Sequence, residues 1–412
     1  MAEKSDKAGQ RAHHLIDTKF AARELRRLGE PELTYLAEVL RGETLSNYIS
    51  ESSMTRRFEE AFARKVGARK AMAKNSAMSG LVEAVSVSGA GTATEVIVDP
   101  IVHFGGLAAI HFNAVPRFAD VRRDTYNMDP DSLLANITPL TRAVIVTHMW
   151  GQCAQIDTIA QICRDKKLFL IEDCAHSLNA TWKGKHAGTY GDLGVFSFQE
   201  FKQLSTGDGG MTVTNNEELF EKMRTAWWFS GESPQFVYLN YRMNEVTAAV
   251  GLAQLEKVDG IINGTYNKTL AILDQAIAGC QWLKARHRPK EAAMSGYWWA
   301  CTWEGDKHGL SYERFKQVEQ ELGIGLRFGF NFYPAYEFPF FRESTAYRTQ
   351  PDCPVRCPFY TARSNYRYTW GLTPVTEDLM QRLVTVNLIF LSIPAATRMA
   401  ELIREAIRKM EK

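Results

Sequence analysis

A succession of short, continuous apolar runs, spaced by stretches with helical periodicity, constrains this chain more than any other feature. The runs are Glu95–Val98, Arg117–Val121, Ala143–His148, Leu168–Asp173, Val195–Phe198 and Met211–Thr214. Several carry a continuous apolar stretch rather than an alternation, as Val96–Val98, Ala143–Val146 and Leu168–Ile171 do, which is how strands buried on both faces of a mainly parallel sheet read. Helices are expected between them at Asp157–Arg164, Glu217–Ala226 and Glu245–Lys257. Ahead of the series, Phe58, Phe62 and Val66 recur at helical spacing within 54–66. This alternation predicts a three-layer α/β/α domain with a mainly parallel sheet over residues 31–260.

The rest of the chain has a different texture. It carries Trp298, Trp299 and Trp303, many Phe, Tyr and Pro residues, and a closing helical segment around Met399–Met410. Residues 261–412 are therefore read as a smaller C-terminal α+β domain. Residues 1–30, with Arg23, Arg26 and Arg27, are read as a solvated N-terminal helical arm. A chain of 412 residues, 45% of them hydrophobic, buries enough surface for such a division.

Charge and cysteine usage narrow the function classes. With 49 basic and 47 acidic residues the net charge is +2, which gives no electrostatic reason for a nucleic-acid partner. No apolar run approaches the roughly 18 to 20 residues that span a bilayer, and the polar start from Met1 to Gln10 lacks a signal peptide's apolar core. The seven scattered cysteines fit a reducing compartment, so the cytoplasm is the expected location. Cys353 and Cys357 are the closest pair, but no second pair or nearby His gives them zinc spacing, and no metal is expected.

Chemistry concentrates in two segments. The run Leu168–Asp173 ends in Glu172 and Asp173 and is followed by Cys174, Ala175 and His176. Ligands in open α/β sheets bind beyond the carboxyl ends of strands, so an acid there is placed for catalysis, although an Asp at this point also serves as a helix N-cap. The second segment runs from Val195 through Phe196, Ser197 and Phe198 to Lys202, then Thr206-Gly207-Asp208-Gly209-Gly210 and the Met211–Thr214 run. A lone lysine on a loop is ordinarily a solvated cation. Between a buried strand and a glycine-rich turn it can be desolvated into a neutral, nucleophilic amine. The glycines permit positive φ and close backbone approach.

Taken in order, these residues resemble the signature of the DegT-type sugar aminotransferases, which are fold-type I enzymes using pyridoxal phosphate (PLP). The resemblance rests on Glu172-Asp173-Cys174-Ala175-His176, Gly188 to Asp192, Phe196-Ser197-Phe198, Lys202 and the Thr206–Gly210 turn. It extends to Phe58-Glu59, to Pro100 and Phe104, to His148-Met149-Trp150-Gly151 and to Asn240-Tyr241-Arg242. Pro334-Ala335-Tyr336 and Pro339 to Arg342 are similar to the branch that includes cyclitol and aminohydroxybenzoate-type enzymes.

The resemblance implies roles. Lys202 is the Schiff-base lysine and proton shuttle, Asp173 faces the pyridine nitrogen, and His176 touches the phenolic oxygen. Ser197 donates to the phosphate and Phe104 stacks on the ring. Asn240 reaches the phosphate of a neighbouring subunit's cofactor, which implies a homodimer with shared active sites. Arg242, whose guanidinium suits a carboxylate, and Tyr336 are the implied substrate contacts. One departure stands out: Ala77-Met78 occupies the place of the family's Gly-Thr before the phosphate-facing helix, leaving Ser76 or Ser79 to compensate.

The reaction implied is transfer of an amino group from glutamate or glutamine to a keto-sugar or keto-cyclitol by a ping-pong mechanism. The partners are thus a small amino donor and a carbonyl acceptor. A PLP-dependent sugar dehydratase is the nearest alternative, but those enzymes carry histidine in place of the lysine. A catalytically silent PLP-binding protein is the other. A nicotinamide enzyme is set aside because Gly89-Ala90-Gly91 precedes a strand instead of following one.

Overall fold

The computed structural model describes residues 28–42, 44–46, 53–227, 240–331, 333–345 and 354–412. Most of the expected N-terminal arm, including Arg23, Arg26 and Arg27, and also Cys353, lies outside these residues.

The first sheet contains Lys70–Lys74 (β1), Glu95–Val98 (β2), Val115–Phe118 (β3), Thr141–Thr147 (β4) and Phe169–Asp173 (β5). After the short hairpin strands Thr181–Trp182 (β6) and Lys185–His186 (β7) it adds Leu193–Ser197 (β8) and Gly210–Thr214 (β9). The order is β1-β9-β8-β5-β4-β2-β3. β3, β2, β4, β5 and β8 run parallel, whereas β9 is antiparallel to both β8 and β1.

Side chains alternate between the two faces. On β4, Val144 and Val146 join one core while Ala143 and Ile145 join the other. The first core is closed by Phe58, Ile159 and Leu252, from the helices Met54–Val66, Ile156–Lys166 and Glu245–Ile261. Leu81, Val85 and Ala109, from the helices Ala77–Val87 and Phe104–His111, close the second. Tyr336, Phe341, Tyr360 and Tyr368 also pack into that second core, so part of the segment after 330 returns to the first sheet.

Helix Glu245–Ile261 passes through the π-turn Ile262–Tyr266 into helix Asn267–Ala276. Beyond it lie Leu283–Ala285 (β10), Ala292–Ala293 (β11), Trp298–Trp303 (β12), Arg327–Phe328 (β13) and Leu383–Asn387 (β14). A fully antiparallel second sheet has the order β10-β12-β14-β13. Its own core of Trp299, Trp303, Phe315, Val384, Met399 and Ile403 is shared with helices Tyr312–Leu322 and Ile393–Met410. β11 instead pairs with β6, linking the later part of the chain to the first.

The α/β class with a mainly parallel sheet is therefore as expected, with two differences in the strands. β1 was not anticipated, because Lys70 and Lys74 bracket only three residues. The run expected at Arg117–Val121 pairs instead as Val115–Phe118 and includes Pro116. β3 is an edge strand, where a residue without an amide N–H removes no inner ladder bond.

Candidate active site

A cavity of about 240 Å³ opens at the carboxyl ends of β5 and β8 and the N-terminus of helix Ala77–Val87. Ala77, Met78, Phe104, Asp173, His176, Ser197 and Lys202 all line it.

β5 ends in two carboxylates that the strand's alternation sends opposite ways. Glu172 is fully buried and accepts from the amides of Gly188 (2.8 Å), Tyr190 (2.6 Å) and Gly191 (2.7 Å) and pairs with His148 Nε2 at 2.8 Å. The Ala154 amide donates to His148 Nδ1 at 3.1 Å, so the ring proton sits on Nε2 and points at Glu172. Burial alone would raise the Glu172 pKa, but His148 and these amides more than reverse it and hold the carboxyl below its ordinary value. Asp173 is equally buried and accepts at Oδ1 from the Ala175 amide at 3.0 Å. Burial pushes its pKa up, and that amide and the charge of Lys202 only partly oppose the shift.

Lys202 follows β8 on the loop that returns as β9. Gly207 takes a φ of +85° within this loop, and Gly210 lies so close to the helix start that a Cβ there would sit 2.6 Å from the Ala77 amide nitrogen. The Lys202 amine donates to the Tyr297 hydroxyl at 3.0 Å. The His176 ring lies 4.7 Å from the same tyrosine ring. Its Nδ1 is buried and has no hydrogen-bond partner among the described residues. Desolvation, then the charges of Lys202 and Arg286, hold this imidazole well below its usual pKa, so it is neutral at pH 7.

Ser76 caps helix Ala77–Val87 by accepting from the Ser79 amide at 3.1 Å, and its hydroxyl lies 2.9 Å from that of Ser79. The helix start thus presents backbone N–H groups and the positive end of its dipole to the cavity, the arrangement that binds phosphate. Phe104, 44% exposed, opens the neighbouring helix and forms another part of the wall.

Three expected site residues lie elsewhere. Asn240 is exposed and, with Arg242, runs beside the strand entering the helix start, where the Asn75 amide donates to the Tyr241 carbonyl at 2.9 Å. Neither lines this cavity. Tyr336 has no exposed surface; its hydroxyl donates to the Glu377 carboxylate and lies 3.0 Å from Thr373 Oγ1. Its aromatic, proline-flanked sequence reflects core packing, and the substrate contact expected of Tyr336 is corrected to a buried structural role.

Sequence reasoning missed Tyr297, which no motif marks, and Asp99. The Asp99 side chain accepts from the amides of Ile101 (3.2 Å) and Val102 (3.4 Å) at the turn leading to Phe104. Burial, with the neighbouring Asp173 charge, raises its pKa to about 6 against the hydrogen bonds that lower it. His148, Glu172 and Cys174 bring possible metal-ligand atoms within 4.8 Å of one another. Both His148 nitrogens and both Glu172 oxygens are already bonded, however, and burial keeps the Cys174 thiol protonated.

A mainly parallel sheet with one antiparallel strand, carrying a buried acid and a lysine at a shared cavity, defines the fold-type I transferase class. The comparisons agree. The chain belongs to the DegT/DnrJ/EryC1/StrS aminotransferase family, whose sequence profile matches residues 27–366, and it is an aminotransferase. It is 30% identical over 362 residues to the spore coat polysaccharide biosynthesis protein SpsC of Bacillus subtilis, covering 81% of this chain and 88% of that one. To the GDP-perosamine synthase of Caulobacter vibrioides it is 32% identical over 296 residues, covering 68% and 77%. A solved 3-amino-5-hydroxybenzoic acid synthase shares the fold with a TM-score of 0.77 at 24% identity, covering 95% and 99%. Among the described residues no helix is long and apolar enough to cross a membrane.

Proposed function

We propose that this aminotransferase uses PLP and moves an amino group from glutamate or glutamine to the carbonyl of a keto-sugar or keto-cyclitol, in two half-reactions. The observation that carries the reading is the meeting of Lys202, buried Asp173 and neutral His176 at one cavity beside a helix N-terminus.

These residues fit the cofactor. His176 Nδ1 is a buried polar atom in need of a partner. Asp173 is a buried acid whose charged form is undersupplied with donors, and a positive ring nitrogen beside it would favour that form. The start of helix Ala77–Val87 suits the phosphate, which Ser197 would help hold, and Phe104 would pack on the ring. PLP, when bound, supplies an electron sink for the charge that develops at the donor's α-carbon. Lys202, at the wall of the same cavity, would take and return the proton there. Asp173 would keep the ring nitrogen charged, and His176 would orient the phenolic oxygen.

The likeness to GDP-perosamine synthase supports a sugar carbonyl as acceptor. Arg242, which does not line its own chain's cavity, is proposed to bind the donor carboxylate at a site shared with a second subunit. Asn240, exposed and outside its own chain's cavity, is proposed to complete the site of a second subunit, which makes the working unit a homodimer in the cytoplasm.

The test is an absorbance spectrum of the PLP-loaded protein before and after glutamate or glutamine, for wild type and Lys202→Ala. Wild type is expected to convert with one donor. The variant should lose at least about 10³-fold in conversion rate. Binding of PLP that neither donor converts would sink the proposed donors and favour a silent PLP-binding protein.

A further inference from the structure

The Lys202 amine donates to a residue that leads into the second sheet. Tyr297 immediately precedes β12, yet its hydroxyl accepts from Lys202 Nζ at 3.0 Å and its ring centroid lies 4.7 Å from that nitrogen. The same ring packs on the His176 imidazole at 4.7 Å and an interplanar angle of 33°. One buried side chain thus touches both the lysine and the imidazole of the cavity.

Its placement is fixed by bonds from three consecutive residues. The Ser295 amide donates to the Gly151 carbonyl (2.8 Å), and its hydroxyl accepts from Gln203 Nε2 (3.0 Å). Gln203, next to Lys202, also donates to the His176 carbonyl at 2.9 Å. The Gly296 amide donates to Asn267 Oδ1 (2.7 Å), and the Tyr297 carbonyl accepts from the Leu388 amide (2.9 Å). The segment 295–297 is therefore clasped to the turn after β4, the lysine loop, the helix after the π-turn and the end of β14.

We infer that Tyr297 is a positioning residue for amino transfer. Its hydroxyl holds the Lys202 amine in one of the many rotamers open to a lysine, and its ring sets the plane of His176. The clasp ties both to the second sheet. The inference rests on the proposed function for the reaction that Lys202 performs, but the contact itself can be tested without cofactor.

In PLP-free full-length protein, acetic anhydride labelling of Lys202 is followed by mass spectrometry, with exposed Lys284 as the internal reference. Tyr297→Phe keeps the ring and removes the hydroxyl. It is expected to raise the Lys202 to Lys284 labelling ratio about 10-fold at an unchanged melting temperature. In PLP-loaded protein the same variant should lower kcat about 10-fold with the donor KM unchanged. Tyr297→Leu should add a loss in PLP affinity as His176 loses its packing surface. An unchanged labelling ratio in Tyr297→Phe overturns the inference, as does a KM effect without a kcat effect. An altered ratio in a protein that converts neither donor upholds the contact and counts against the proposed function instead.

Discussion

Two buried charged regions lie close to the same helix start, and they are built on opposite plans. In the first, Lys74 and Glu83 pair at 2.7 Å with side-chain exposures of 1% and 4%, and Glu59 stands nearby, accepting from the Ala73 amide at 2.7 Å. Burial pulls the lysine pKa down and pushes that of Glu83 up, and each partner's charge pulls back. In the second, Glu172 has His148 and three amides, while its neighbour Asp173 has the Ala175 amide and the charge of Lys202. The difference teaches how to separate structural from chemical charge. A buried ion compensated within the chain serves the fold. One left short of compensation at the wall of the cavity, as Asp173 is, suits something that arrives.

That distinction can be broken by substitution. If Asp173 is kept for a ligand, Asp173→Asn should cost on the order of 10²- to 10³-fold in amino-transfer rate and leave the melting temperature equal or higher. A melting temperature that falls in step with activity would move Asp173 into the structural class. Glu83→Ala should do the reverse, because it removes the 2.7 Å carboxylate partner of a buried ammonium. About 3–5 kcal/mol of stability should be lost, read by urea denaturation, and much of it recovered in Lys74→Met/Glu83→Leu.

The smallest effect sharpens the comparison through pH. Burial raises the Glu59 carboxyl from 4.5 to about 7, against the lowering influence of the Ala73 amide and Lys74. Between those values the folded state holds a proton that the unfolded chain has released. Stability therefore falls as pH rises through this window and levels off above it. Glu59→Gln, whose side-chain oxygen can still accept from Ala73, should flatten the fall and be more stable than wild type at pH 8 by on the order of 1–2 kcal/mol. Urea midpoints at pH 5 and pH 8 measure this directly, and parallel slopes for the two proteins would refute it.

What the sequence discloses follows from where information is local. β2 was legible to the residue, and β4, β5, β8 and β9 to within two at either end, because a strand buried on both faces writes itself as an apolar run. β1 hid because its lysines look like loop, and one of them, Lys74, is a buried ion whose partner lies on the next helix. Helix Ile393–Met410 begins six residues before the expected Met399, with Pro394 at a first-turn position where proline needs no amide. At the cavity, Asp173, His176, Ser197 and Lys202 share one continuous stretch and could be read together. Tyr297 arrives from 95 residues beyond Lys202, and such a meeting is decided by topology alone. Tyr336 failed for the complementary reason: a tyrosine beside proline has the same spelling in a pocket and in a core.

The antiparallel course of β9 bears on how this chain can be altered. Ser197 pairs directly with Gly210, so the loop 198–209 leaves and re-enters the sheet at adjacent points, as a handle does on a lid. A parallel neighbour would have required the connection to cross a face of the sheet, usually as a helix, carrying the lysine with it. Here the span of the handle, with the clasp at 295–297, sets the reach of the amine. A single insertion between Ser197 and Gly210 is therefore expected to disarm the protein with its fold intact.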